Sequence, residues 1–387
     1  MALIYIVAGE ASGDVLGARL MAAIAAARPD TTFAGVGGEA MAARGLQTLF
    51  PLRDLALMGL VEVLPKLALL RRRMAEAVAD IAARRPALVV TIDAPGFTLR
   101  LLRHVERLGI PRAHYVAPQA WAWRESRVRK YPGLWNDLLC LLPFEPAFFA
   151  RHHLPATFTG HPVLESGADR GDAARFRARY GVPADATVVT VMPGSRAGEV
   201  SRLLPVLGAT IDRVRATMPS TVPVVPVAAT VAETVRRAVA SWPSNPIVVT
   251  GDEEKFDAFA ASAAALTKSG TSTLELALAG VPMLVTYRMH PITAAIGRRV
   301  VKVKYASILN LLSEAPFVPE LLQERSNPQD LGDALAGLLA DPAAAASQRA
   351  GFARVLAMLR PPGGSPSAAA ASAVLRLLEQ SHVREQP

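Results

Sequence analysis

This chain of 387 residues has almost no means of covalent cross-linking: its single cysteine is Cys140. A disulfide framework and a cysteine-rich zinc site are excluded, and a reducing compartment fits. Metal-ligand spacing is missing too, since His152 and His153 are adjacent and no H-E-x-x-H, Cys/His or D-x-D arrangement occurs. Charge is scarce, at 19% of residues against 51% hydrophobic. That excludes a mainly disordered chain, because ample apolar surface offsets the entropy of ordering. No window holds the roughly 20 apolar residues that a bilayer span needs. The start, MALIYIVAGEASGD, lacks a basic n-region and meets Glu10 and Asp14 at once, unlike a secretory signal. The chain is expected to be soluble or to lie on a membrane surface. Only six of the 42 cations are lysines, and the formal charge is +9. An anionic partner such as phosphate, nucleic acid or lipid fits that balance, but in a chain rich in Ala, Arg and Pro the charge does not choose among them.

Length favours two domains at the usual ~100–200 residues each. Short runs rich in Val, Ile and Leu alternate with longer Ala/Leu/Arg segments of helical period, the pattern of parallel sheets built from βαβ units. One series predicts strands over Leu3–Val7, Thr32–Val36, Leu88–Ile92, Ala113–Val116 and Leu138–Leu142. A turn-rich stretch at Gly160–Asp172 separates it from a second series over Val188–Met192, Val222–Val227, Ile247–Val249, Ala264–Thr267 and Met283–Tyr287. PPGGSPS, Pro361–Ser367, interrupts the last helical region and leaves Ala368–Gln380 as a terminal helix free to pack anywhere, including on the first domain. The expected class is α/β, with two doubly wound, Rossmann-like domains over residues 1–165 and 166–360 and a terminal helical segment over 361–387. A ligand cleft is expected between the halves, since such sheets bind at the carboxyl ends of their strands.

Several loops at those strand ends carry candidate chemistry. AGEASGD, Ala8–Asp14, supplies small residues for close approach to a ligand, with Glu10, Ser12 and Asp14 able to meet sugar hydroxyls. It reads equally as a plain strand-to-helix turn in which Asp14 caps a helix starting near Val15. Its glycine spacing does not fit a serine-hydrolase elbow. GVGGEA, Gly35–Ala40, departs from the dinucleotide fingerprint and reads as a glycine loop. TIDAPGF, Thr91–Phe97, puts Asp93 just past an apolar strand and before Pro95, where a carboxylate serves either as general base or as a turn or helix-cap residue. HYVAPQAWAWRESRVRKY, His114–Tyr131, concentrates Trp121 and Trp123 with Arg124, Arg127, Arg129 and Lys130. The tryptophans can pack on an acyl chain or sugar ring, form a nucleic-acid platform, or simply be a buried pair beside a solvated basic face.

PGSRAGEV, Pro193–Val200, sits between a strand and a helix, where backbone amides receive anionic oxygens and Arg196 adds a bidentate contact. SGTSTLE, Ser269–Glu275, repeats that placement, and Glu275 can accept ribose hydroxyls. The pair favours a diphosphate ligand over plain capping, without the Gly-Lys-Ser/Thr ending of a Walker loop. LMGLVEVLPKLALLRRRM, Leu57–Met74, joins an apolar stretch to Lys66 and Arg71, Arg72 and Arg73. That is the composition of an interfacial helix on an anionic membrane, or of a domain helix with a solvated basic end. Arg298, Arg299, Lys302 and Lys304 form a smaller basic run open to lipid head groups.

Taken in order, AGEASGD, LMGLVEVLPKL, TIDAPGF, HYVAPQAWAWRESRV, LLPFE, FTGHPV, PGSRAGEV, SGTSTLELALAGVP, YRMHP and NLL followed by ELLQE resemble the lipid-A-disaccharide synthase family, nearly end to end. The resemblance implies a B-type glycosyltransferase fold with an N-terminal acceptor half, a C-terminal nucleotide half and no cofactor or metal. It implies an inverting reaction: the 6-hydroxyl of 2,3-diacylglucosamine 1-phosphate attacks UDP-2,3-diacylglucosamine, giving the β(1→6) lipid A disaccharide 1-phosphate and UDP. Asp93 would be the general base and Arg196 a stabiliser of the diphosphate, with Ser195, Ser269, Gly270, Thr271 and Glu275 completing the UDP site. Asn310 and Gln323 would be weaker members, and Glu10 and Ser12 would line the acceptor side. Leu57, Met58, Leu60, Val61, Lys66, Arg71, Arg72 and Arg73 would face the acyl chains and an anionic inner-membrane surface, making the protein cytoplasmic and peripheral. Departures from the family pattern fall at Gly96, Thr98, Ala117, Gln119 and Leu309. The rival readings are another UDP-sugar enzyme of the same fold, such as a 2-epimerase or a transferase to another lipid acceptor, and, outside enzymes, a basic nucleic-acid-binding module. The resemblance implies no nucleic-acid partner.

Overall fold

Strand order positions the chemistry of this chain. The structure, a computed structural model, describes residues 2–55, 60–123, 125–289, 301 and 303–384. It divides into one unit of Met1–Pro162 with Leu359–Pro387 and a second of Val163–Met358. The chain leaves the first unit and returns to it at adjacent points, where the His161 amide donates to the Leu359 carbonyl at 3.0 Å. Gly160 there has φ +79°, and a Cβ on it would lie 2.5 Å from Pro361 Cδ, so only glycine fits.

The first unit holds β1 (Ala2–Ala8), β2 (Thr31–Val36), β3 (Leu88–Ile92), β4 (Arg112–Tyr115), β5 (Asp137–Cys140) and β6 (Ala156–Phe158), all parallel, in the order β2-β1-β3-β4-β5-β6. Both faces are covered, which is why these strands read as unbroken apolar runs. Tyr5 and Val7 of β1 enter one cluster with Val89, Leu101 and Phe149, while Ile4 and Ile6 enter another with Val90, Leu20 and Ile24. That second cluster also takes Ala370, Ala371, Val374 and Leu378 from the last helix, Pro366–Arg384, which lies along the helix Ala11–Ala27.

The second unit holds β7 (Thr187–Met192), β8 (Thr221–Val227), β9 (Ile247–Thr250), β10 (Ser262–Lys268), β11 (Met283–Tyr287) and β12 (Glu320–Leu322), again parallel, in the order β12-β11-β10-β7-β8-β9. The ten expected strands are present to within a residue or two at their ends. The two added ones, β6 and β12, are three-residue edge strands, too short to show periodicity. Local signals start and stop the helices: Asp172 accepts the amides of Ala174 and Arg175 to cap Ala173–Tyr180, and Gly181 ends it in the left-handed region. Among the described residues no helix is long and apolar enough to cross a membrane.

Candidate active site

In an open α/β sheet a ligand crevice forms where strand order reverses, because the loops on either side of that point diverge. The first sheet reverses between β1 and β3, and the loops leaving those strands are AGEASGD and the Asp93 turn. The two loops touch. The Gly9 amide donates to the Ile92 carbonyl at 3.3 Å, and a Cβ on Gly9 would lie 2.1 Å from Ala94 Cβ. Asp93 and Ala94 have φ of +53° and +45°, a conformation costly for two successive residues with side chains. Four hydrogen bonds hold it: the Asp93 amide to the Tyr115 carbonyl, the Ala94 amide to Asp93 Oδ1, and the Thr98 hydroxyl to the carbonyls of Asp93 and Ala94. Thr98, a departure from the family pattern, thus has a definite task. Asp93 Oδ2 has no hydrogen-bond donor among the described residues, and the residue is half-buried.

Glu10 and Ser12 are exposed beside this turn. Asp14 corrects the sequence reading. Its helix begins at Ala11, and its carboxylate does not cap that helix but accepts the amides of Gly38, Ala40 and Met41 at 2.7, 2.9 and 3.1 Å. It therefore pins the GVGGEA loop, and Gly38 is required because a Cβ would lie 2.6 Å from Asp14 Oδ2.

The tryptophans separate in role. Trp121 is half-buried, with its Nε1 donating to Glu145 Oε1 at 3.0 Å and its ring edge-on to Phe144, whereas Trp123 is exposed beneath the Arg127 guanidinium. They are not a buried pair. Glu145, from LLPFE, also accepts the amides of Leu141 and Leu142. Burial pushes its carboxyl up to about 7, against the lowering effect of those donors. Arg124 lies outside the described residues.

The second sheet reverses between β7 and β10, and the loops there are PGSRAGEV and SGTSTLE. Arg196 is the N-cap of the helix Ala197–Thr217, with its guanidinium 71% exposed. The amides of Ala197 and Gly198 precede the first intrahelical bond, from the Glu199 amide to the Arg196 carbonyl at 2.9 Å, so the helix offers them no carbonyl, the condition under which such amides can receive an anion. Ser195 and Thr271 are exposed. The second helix, Ser272–Leu278, has only seven residues, so its loop rests on the amides of Gly270 and Thr271 more than on a dipole. The Ser269 hydroxyl donates to the Ala306 carbonyl at 2.6 Å, and Glu275 accepts from Lys255 Nζ at 3.2 Å.

Asn310 and Gln323 are engaged within the protein. The Asn310 amide donates to the Val318 carbonyl and Glu320 Oε1, and its oxygen accepts the Val318 amide. Gln323 Oε1 accepts the Met289 amide at 3.3 Å, tying the YRM segment to β12. Both therefore shape the loop edges of this unit. A hollow of about 290 Å³ lined by Tyr305, Asn310, Val318, Glu320 and Arg325 lies in this region, and neither phosphate-type loop contributes to its wall. Sequence reading missed Glu145, Glu320, Lys268 and Glu199, because each acts through a partner that is remote in sequence or carries no motif of its own.

The helix Leu60–Arg84 contains the basic cluster. Arg73 turns inward to Asp54 at 2.7 Å, to Glu76 at 2.6 Å and over the Phe50 ring, and is only 17% exposed. It joins the helix to its own unit and is corrected from a lipid-facing to a structural residue, while Arg71 and Arg72 are exposed. Leu57 and Met58 lie outside the described residues, as do Arg298, Arg299 and Lys302. Leu60, Val61 and Lys66 are described as helix backbone only.

A family model for lipid-A-disaccharide synthetase matches residues 4–373. The lipid-A-disaccharide synthase of Gluconobacter oxydans (strain 621H) is 56% identical over 378 residues, covering 98% of this chain and 91% of that protein. That of Granulibacter bethesdensis is 54% identical over 389 residues, covering 98% and 99%. Among solved structures, the S. aureus MnaA–UDP co-structure superposes with a TM-score of 0.67 at 12% identity, covering 100% of this chain and 99% of that one. The UDP-GlcNAc 2-epimerase from Neisseria meningitidis bound to UDP-GlcNAc gives 0.62 at 13% identity, covering 98% and 100%. At that identity the structural likeness speaks to the two-domain fold alone.

Proposed function

Since the chain belongs to the lipid-A-disaccharide synthase family, we propose that it is an inverting glycosyltransferase joining UDP-2,3-diacylglucosamine to 2,3-diacylglucosamine 1-phosphate, with release of UDP. The observation that carries this reading is the near-complete family match over residues 4–373. The switch-point loops of the two sheets agree with it, one bearing a carboxylate with an open oxygen and the other an exposed arginine at a helix N-terminus.

The chemistry follows from those groups. Asp93 takes the proton of the acceptor 6-hydroxyl as its oxygen attacks the anomeric carbon, a step in which a positioned base contributes about 10²- to 10⁴-fold. The bond from that carbon to the β-phosphate oxygen breaks through an oxocarbenium-like transition state. Negative charge grows on the departing UDP, and Arg196 with the amides of Ala197 and Gly198 receives it. Glu275 accepts the ribose hydroxyls, and Glu10 and Ser12 bind the acceptor sugar. Because both substrates carry acyl chains, the protein works at the cytoplasmic face of the inner membrane, with Arg71 and Arg72 toward anionic head groups.

Supplying both diacylated substrates tests the reading: a disaccharide phosphate and UDP should appear in equal amounts. UDP-GlcNAc converted to its 2-epimer, with no disaccharide from the acylated pair, would favour the epimerase alternative.

A further inference from the structure

The loops of the second switch point rest on an ion pair that no motif announces. Lys268, the last residue of β10, donates from Nζ to Glu199 Oε1 at 3.3 Å. Their side chains are 15% and 8% exposed. Arg196 approaches the same carboxylate oxygen at 3.6 Å. Glu199 Oε2 is buried without a hydrogen-bond partner among the described residues, and among those residues the Lys268 ammonium, which has three donors, spends one on Glu199 Oε1.

A glycine stands over each partner. Gly194, with φ +109°, would put a Cβ 2.6 Å from Glu199 Oε2, and Gly270, with φ +155°, would put one 3.1 Å from Lys268 Nζ. Glycine at both places keeps a side chain from crowding the pair, which lies beside the two loops.

Electrostatics gives the pair a direction. A buried carboxylate beneath a diphosphate loop repels its ligand, and opposed to Arg196 alone it would cancel that arginine's charge. Lys268 restores one net positive charge and keeps donors for a phosphate oxygen. We infer that Lys268 is a second cation of the nucleotide diphosphate site, contacting the ligand directly, with Glu199 as the residue that positions it. This rests on reading the two loops as the UDP site.

Calorimetry with UDP and with uridine tests it, on the wild type, Lys268→Met, the double variant Lys268→Met/Glu199→Gln, and Arg196→Ala. The double variant removes both charges and leaves neither partner buried alone, so it keeps the test open if the single variant folds poorly. It should bind UDP about tenfold more weakly, the loss of one charge-assisted contact, with uridine affinity unchanged. Lys268→Met should lose more, because Glu199 then repels the ligand. A double variant with wild-type UDP affinity while Arg196→Ala loses its own would overturn the role of Lys268 and leave the site in place. Equal losses for UDP and uridine would make the pair merely structural and overturn it as well. If neither Arg196→Ala nor the double variant changes UDP binding, the diphosphate reading of the loops falls, and this inference with it.

Discussion

The buried Asp14 carboxylate accepts three backbone amides of the Gly38–Met41 turn, two of them to one oxygen. Removing it leaves those donors without a charged acceptor, so Asp14→Ala should lower unfolding free energy by about 3 kcal/mol, measured by urea denaturation. His114 makes the opposite demand. It is fully buried, its Nδ1 is 2.8 Å from the Thr91 hydroxyl, and its Nε2 has no partner. Burial pushes it down to about 3, and His161 to about 4 for the same reason. The unfolded chain therefore takes up protons below pH ~6.5 that the folded chain refuses. The contribution of each histidine is complete above that pH and falls on acidification, by up to about 1.4 kcal/mol per pH unit, while Glu145, held up to about 7, acts in the opposite sense as it takes up its proton in the folded state. Between pH 7 and pH 5 the urea midpoint of the wild type should move toward lower stability relative to that of His114→Asn; an identical pH dependence of the two proteins would contradict this.

At the scale of elements, the helix Leu60–Arg84 has two basic populations. Arg71 and Arg72 are exposed, while Arg73 is bound to Asp54 and Glu76. Arg71→Glu with Arg72→Glu should reduce sedimentation with anionic liposomes and leave stability nearly unchanged. Arg73→Glu should instead destabilise the unit, since it places three carboxylates together. Equal sedimentation of the double variant and wild type would return the helix to a purely structural part. The ten longer strands were legible because burial on both faces writes an apolar run into the sequence, and the Asp93, Arg196 and Ser269 loops because they follow such runs. Asp14 was misread because the helix starts four residues earlier than its cap signals imply, and its partners lie far along the chain. Lys268 was invisible as one lysine ending a strand, and Glu199 as one acid in a helix. Only the adjacency of β7 and β10 brings them together.

For the whole molecule, two sheets of different strand order each present loops at their own reversal, one with a carboxylate and one with cations and amides. On the proposed roles, loss of the first set should act on turnover alone and loss of the second on turnover and nucleotide affinity. Arg196→Ala is accordingly expected to weaken UDP binding and slow turnover together. Turnover of the acylated substrate pair by Asp93→Ala, with UDP affinity measured on the same preparation, tests the account most directly. It should fall about 10²- to 10⁴-fold while UDP binds as in the wild type; near-normal turnover would contradict Asp93 as the base.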